Sequence, residues 1–257
     1  MILINYANSR YEASRKRNSA SARAVGGFDK VMEFRPRDID ATFRQEHSAI
    51  LSHRRGDGYW LWKPYFIYEV LCSLVDGQAL VYTDAGSEFI QPASSLFRDL
   101  DAQTGKVMTF ELSHPEYRYT KSRALQILNG ATPEVRNTKQ RLAGYLWFRV
   151  GEESRSFVRD WLEACKNPAV IMDDSHPPYD EDPEFVAHRH DQSALSILAK
   201  QRELPAYRNP SQFGNDQLLD YPNSTYPQVL HSFGRLPRNS VEALALRGKR
   251  WLRGFLR

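Results

Sequence analysis

Cysteine is scarce in this chain: Cys72 and Cys165 are the only two among 257 residues. That excludes a disulfide-stapled scaffold, and their spacing matches no zinc site. Each falls in an apolar helical pattern, so both are expected as buried free thiols. Long apolar runs are also missing, and no stretch approaches the ~18 residues of a membrane-spanning helix. The opening Met1-Ile2-Leu3-Ile4-Asn5-Tyr6 lacks the basic start and extended apolar core of a secretory leader. The expected location is the cytoplasm, or the cytoplasmic face of a membrane. No internal repeat or low-complexity tract is present. The charge excess is small, at 35 Lys and Arg against 31 Asp and Glu, a formal +4. It suits an anionic ligand or surface and is too weak and dispersed to indicate nucleic acid.

Aromatics are plentiful, with 13 Tyr, 13 Phe and 5 Trp, and the length allows a sizeable core. Strand patterns fall at Ile2–Tyr6, Lys30–Phe34, Ala79–Thr83, Val107–Leu112 and Gly144–Val150. A basic segment, Asn8–Arg23, lies between the first two and reads as a loop entering a helix. Phe66, Ile67, Val70, Leu71 and Leu74 recur at helical spacing after Pro64, which suits the first position of a helix. Glu152–Cys165 is a second such helix, and His190-Asp191-Gln192-Ser193 opens a third. Residues 117–128 read as mixed and helical, Asp173–Glu184 as an acidic loop, and Pro205–Tyr226 as irregular. Alternating strands and helices predict an α/β fold with a mainly parallel central sheet flanked by helices.

The most informative stretch is Leu80-Val81-Tyr82-Thr83-Asp84-Ala85-Gly86. A carboxylate is costly to bury unless it is paired. Asp84 follows directly on an apolar strand, and open α/β sheets bind ligands just outside the carboxyl ends of their strands.

Four separated blocks carry a resemblance. They are Trp62-Lys63-Pro64 through Val81-Tyr82-Thr83-Asp84-Ala85-Gly86, then Ala143-Gly144-Tyr145-Leu146-Trp147-Phe148-Arg149, then His190-Asp191-Gln192-Ser193, and Val229-Leu230-His231-Ser232-Phe233-Gly234. Their order and spacing over roughly residues 55–235 resemble the GT-A-fold, nucleotide-sugar-dependent glycosyltransferases of bacterial polysaccharide and glycolipid synthesis. The resemblance implies a sugar nucleotide donor, a glycan or lipid-linked acceptor, and Mn²⁺ or Mg²⁺. It aligns Asp84 with the first acid of an Asp-x-Asp motif and His231 with a late metal-ligating histidine. Gly86 stands where the second acid is expected, and Glu88 follows two residues later. Both a one-carboxylate metal site and a metal-free site stay open.

The chemistry so implied distributes roles. Asp84, Ala85 and Gly86 fall at the donor phosphates, with Lys63 beside them. Asp191, with Gln192 next to it, is the candidate general base for an inverting reaction; the alternative is a helix-capping aspartate. Tyr6, Ala7 and Asn8 fall at the nucleotide base, with Arg10 and Arg15 near phosphate. Trp60 and Trp62 read as core. Residues 1–238 form the expected domain. Residues 239–257 place Trp251, Leu252 and Phe255 on one helix face among Arg247, Lys249, Arg250, Arg253 and Arg257. That pattern fits a helix lying on an anionic membrane, or one docked on the domain. Two other functions compete. A sugar-phosphate nucleotidyltransferase would want a glycine-rich loop after the first strand, and Asn5-Tyr6-Ala7-Asn8-Ser9 has no glycine. A catalytically silent nucleotide-sugar-binding protein would explain the missing second acid.

Overall fold

The computed structural model describes residues 1–103, 105–173 and 181–237. Six strands form the main sheet: β1 (Ile2–Tyr6), β2 (Lys30–Phe34), β3 (Ala79–Thr83), β5 (Val107–Pro115), β6 (Lys139–Arg149) and β7 (Ala206–Tyr207). Their order is β2-β1-β3-β6-β5-β7. β1 pairs in parallel with β2 and β3, and β5 with β7; β6 runs antiparallel to both β3 and β5. A small antiparallel ribbon joins β4 (Ser87–Phe89) to β8 (Leu230–Ser232). Five helices carry the flanking layers: α1 (Glu12–Ser21), α2 (Trp62–Ser73), α3 (Ser94–Ala102), α4 (Glu152–Lys166) and α5 (Asp191–Gln201).

Strand side chains alternate between two faces, and here both faces are buried. Ile4, Leu80, Tyr82, Leu146 and Phe148 enter one core with Phe66, Val70, Trp161 and Leu195 from α2, α4 and α5. Leu3, Val81, Tyr145 and Trp147 enter the other with Leu96 and Leu100 of α3 and Val229. This explains why the central strands are continuous apolar runs. The mixed, mainly parallel sheet flanked by helices is the expected architecture.

Several details differ from expectation. β6 begins at Lys139, five residues before Gly144, because Gln140 and Arg141 are buried and paired. The stretch expected as irregular after Pro205 supplies β7, an edge strand made by Ala206 and Tyr207. Cys72 is exposed near the end of α2, on the side away from the core that holds Leu71; Cys165 is buried. Pro64 is the third residue of α2, still in the first turn, where its missing N–H leaves no bond unmade. Most of the acidic stretch after Asp173 and the helix expected at 239–257 lie outside the described residues.

A fully buried carboxylate ties the helix Glu116–Tyr119 to β6 and α5. Glu116 accepts hydrogen bonds from Thr120 Oγ1 (2.5 Å), Gln140 Nε2 (2.9 Å), Lys200 Nζ (2.7 Å) and Ser196 Oγ. Removing one partner of such a pair strands the other charge in the interior, at about 3–5 kcal/mol. Glu116→Ala should therefore lower the urea midpoint steeply with little change in the slope of the transition. A midpoint shift equivalent to less than about 1 kcal/mol would show that the network is dispensable.

Candidate functional site

A cleft of about 730 Å³ opens at the carboxyl ends of β1, β3 and β5. Tyr6, Ala7 and Asn8 line it at the end of β1, and Asp84, Ala85 and Gly86 at the end of β3. Leu142, Gly144 and Tyr145 line it from the middle of antiparallel β6, and Ser232 and Gly234 from β8 and the turn after it.

Beneath this wall lies Lys63, 3 % exposed. Its Nζ lies 2.9 Å from Asp191 Oδ2, 3.4 Å from Asp84 Oδ1 and 3.3 Å from the Ala143 carbonyl. The Ala143 carbonyl accepts a hydrogen bond from it, and the two carboxylates pair with its charge. Burial alone would push its pKa down, but Asp191 and Asp84 outweigh that and hold it above the ordinary lysine value. Burial pushes the Asp191 carboxyl up to about 6 against the pull of Lys63, with the Asp84 charge adding to the rise. The Tyr82 hydroxyl donates to Asp84 Oδ1 at 2.5 Å. Its phenol is held well above the ordinary tyrosine value by burial and by Asp84. Asp84, with its side chain 47 % exposed, thus has one oxygen tethered from below and stands on the cleft wall.

Gly86 is explained by a backbone contact. A Cβ at this position would stand 2.7 Å from the Gly234 carbonyl oxygen and 2.9 Å from its Cα. The N–H groups of Phe233 and Gly234 both donate to the Gly86 carbonyl at 2.9 Å. The place of a second carboxylate is filled by main chain. Glu88 does not reach back, because its carboxylate is held by Arg17, with one bond of 2.7 Å. His231 is opposite Glu88 in the β4–β8 register. It alternates with Ser232, which lines the cleft, and so points away from it. Among the described residues no three His, Cys, Asp or Glu side chains converge on a possible metal position. The donor set therefore does not fit the Mn²⁺ or Mg²⁺ site that the resemblance implies at Asp84 and His231.

Another part of the cleft wall is a left-handed turn. Gly56, Asp57, Gly58, Tyr59 and Trp60 all have positive φ, from 51° to 92°. L-residues avoid this region at about 1–2 kcal/mol each, and Asp57, Tyr59 and Trp60 are not glycine. Contacts hold the turn in place. The Tyr6 hydroxyl donates to Asp57. Trp62 Nε1 donates to the Gly56 carbonyl at 2.9 Å, and Trp60 stacks on His190 at 5.4 Å. His190 itself has φ 54°. Burial lowers its pKa, and it accepts from Arg55 Nε at 2.9 Å while its Nδ1–H donates to the Ile171 carbonyl at 2.8 Å.

The other predicted residues separate. Tyr6 is buried, stacked on Trp62 at 3.7 Å, and shows only an edge to the cleft. Arg15 is fully buried and paired with Glu12 (2.7 Å) and Glu33 (3.4 Å); it does not line the cleft. Asp191 is 3 % exposed, below Lys63 and off the cleft wall. Gln192 accepts from the Ala143 N–H at 3.2 Å and donates to Gln140 at 2.8 Å, bracing α5 on β6. Lys63 is buried and does not line the cleft. Arg54, Arg55, Asp57 and Trp60 line the cleft, and of these only Trp60 was weighed, as core. The signal for them is Gly56-Asp57-Gly58, whose glycines permit left-handed backbone.

No protein-family model and no curated protein matches the sequence. Solved structures do. Mouse xyloside xylosyltransferase 1, in its apo form, is 8 % identical with a TM-score of 0.50, over 90 % of this chain and 97 % of that one. Galactosyltransferase LgtC, in complex with donor and acceptor sugar analogs, is 13 % identical with a TM-score of 0.51, over 91 % of this chain and 87 % of that one. At such identities the likeness carries the fold: a GT-A-like architecture shared with glycosyltransferases.

Two measurements test this geometry. The Asp191 carboxyl, near 6 when folded and about 4 when unfolded, binds more protons in the native state between those values. Its contribution to stability is full below about pH 4 and lost as pH rises through about 6. Unfolding free energies of wild type and Asp191→Asn should diverge in slope across that window and run parallel above it; parallel curves throughout would refute the shift. Gly86→Asp restores the motif but drives a side chain into Gly234. It should cost about 1–3 kcal/mol, with no rise in Tm on adding Mn²⁺; a Mn²⁺-dependent rise would show that the corner can open.

Proposed function

We propose that this chain is a glycosyltransferase that moves a sugar from a nucleoside-diphosphate donor to a saccharide or lipid-linked acceptor. One observation carries the reading: Asp84 is delivered, tethered from below by Lys63 and Tyr82, to the wall of a cationic cleft at the carboxyl ends of the strands. The fold is one that two glycosyltransferases share.

In the reaction the bond from the sugar C1 to the donor phosphate oxygen breaks. A bond from C1 to the acceptor oxygen forms, the nucleoside diphosphate leaves, and the proton of the acceptor hydroxyl passes to the departing phosphate oxygen. Positioned charge does most of the work in such a transfer. Asn8 and the edge of Tyr6 lie at the base end. Asp84, with Oδ1 tethered, offers Oδ2 to a sugar or ribose hydroxyl. Asp191 acts through Lys63, as a positioning residue that fixes the Asp84 carboxylate. Gly144 keeps that carboxylate unobstructed, since a Cβ there would stand 3.3 Å from Asp84 Oδ2.

The acceptor end of the proposal draws on Phe213, 66 % exposed at the cleft rim. It draws also on the basic, aromatic sequence of residues 239–257, which suits an anionic membrane carrying a lipid-linked acceptor. Among the described residues no helix is long and apolar enough to cross a membrane. A role in surface polysaccharide or glycolipid synthesis is consistent with both features.

The test is release of nucleoside diphosphate from a panel of nucleotide sugars, with and without saccharide acceptors. Asp84→Ala should lower turnover by about 10²–10³-fold with the circular dichroism of wild type and a lower Tm, since Lys63 loses one of its two counter-charges. Full turnover in that variant would remove Asp84 from the mechanism.

A further inference from the structure

The inference here rests on the transferase reading of the cleft. We infer that the donor diphosphate is neutralised by Arg54 and Arg55, carried at the entrance of the left-handed turn, and not by a divalent cation.

Among the described residues the cation has no seat. A second carboxylate is excluded at position 86 by the Gly234 main chain. Glu88 is committed to Arg17, and His231 faces away from the cleft. Asp84 has one oxygen held by Tyr82 and Lys63. A hard divalent cation prefers several oxygen ligands, and one half-used carboxylate supplies too few.

Positive charge is supplied instead by the wall. Arg10, Arg54, Arg55 and Arg235 line the cleft, against Asp57 and Asp84 as the only lining carboxylates among the described residues. Of these two, Asp57 takes the Tyr6 hydroxyl and Asp84 takes Lys63. Leaving-group phosphates need counter-charge as the glycosidic bond breaks, and a guanidinium fork meets phosphate oxygens in bidentate fashion.

Arg55 is already aimed. His190 Nε2 accepts from its Nε at 2.9 Å, and Asp173 lies 3.4 Å from the same nitrogen. Both contacts use Nε and leave the two terminal nitrogens without a partner among the described residues. The backbone that follows is the strained run at 56–60, and His190, which holds Arg55, is strained as well. Strain that persists beside a cleft, braced by stacking and hydrogen bonds, marks a geometry the site requires.

Calorimetry with UDP, GDP, ADP and CDP tests this, each in EDTA and each with Mn²⁺. The expected result is binding of at least one nucleotide with a Kd that changes by less than about threefold between the two conditions and weakens as salt rises. Arg54→Ala/Arg55→Ala should weaken that binding by at least about tenfold, a loss of about 1.4 kcal/mol, with the circular dichroism of wild type. Arg55→Lys, which keeps the charge but not the fork, should recover only part of the loss. Binding that appears only with Mn²⁺ would overturn the inference and leave the transferase reading standing. So would metal-independent binding that the arginine variants do not alter. No binding of any nucleotide in either condition would overturn both.

Discussion

A single buried ammonium organises the site. Lys63 enters from the first turn of α2 and meets the carboxylate after β3, a carbonyl of β6 and the first residue of α5. Desolvating a lysine is costly, and only close, hydrogen-bonded counter-charges make it tolerable. Asp191 supplies that from within the core, and Asp84 shares it from the cleft wall. The helix, the sheet and the late helix are therefore held in mutual register by one charge cluster. The same cluster fixes where the exposed oxygen of Asp84 stands. The side chains beside it, Tyr82 and Trp62, lie 5.4 and 5.8 Å from the ammonium as ring centroids and exclude water from it.

Another part of the wall is built on strain rather than on charge burial. Three L-residues in left-handed conformation cost about 1–2 kcal/mol each, and the contacts that offset this are aromatic. Tyr6 stacks on Trp62, Tyr59 lies 5.0 Å from His190, and Trp60 stacks on the same imidazole. Burial lowers the His190 pKa and so favours the neutral ring, which accepts from Arg55 while lying against two rings. The aromatic richness of the 59–62 stretch is thus structural support for a turn that few sequences would tolerate. Its placement brings Arg54 and Arg55 to the cleft that Asp84 also lines.

Much of the fold was legible in the sequence because burial on both sheet faces writes strands as unbroken apolar runs. Ile2–Tyr6, Lys30–Phe34 and Ala79–Thr83 were read with their observed ends, and Asp84 stands outside its strand as the strand–glycine pattern implied. The direction of β6 was not legible, since an apolar run reads the same in either sense. β7 was missed because two residues make no periodic signal. Arg15 looked like a phosphate ligand because its helix is basic; the carboxylates that bury it, Glu12 and Glu33, lie on two different elements. Lys63 and Asp191 were singled out separately, but that they form one pair follows only from the packing of both α2 and α5 against α4. The turn at 56–60 was seen as aromatic, and its handedness escaped notice although Gly56-Asp57-Gly58 encodes it.

Gly86 shows why a motif residue cannot be interpreted from its own column alone. Read in isolation, Asp84-Ala85-Gly86 is an acidic pair with one member lost. In the structure, position 86 is where the chain after β8 crosses, and Gly234 at φ 76° meets Gly86 backbone to backbone. Two hydrogen bonds to the Gly86 carbonyl replace what a side chain would have supplied. Each neutral contact of this kind is worth about 0.5–1.5 kcal/mol, and neither survives if a carboxylate occupies the space. The exchange also alters the electrostatics of the cleft, since a second carboxylate would cancel one of the arginines lining it. With that acid absent the wall keeps a net positive field, and in a partly enclosed, low-dielectric cleft such a field attracts anions strongly. The glycine is therefore coupled to the arginines: the backbone contact closes the acidic corner without adding a carboxylate to the wall that Arg54 and Arg55 line.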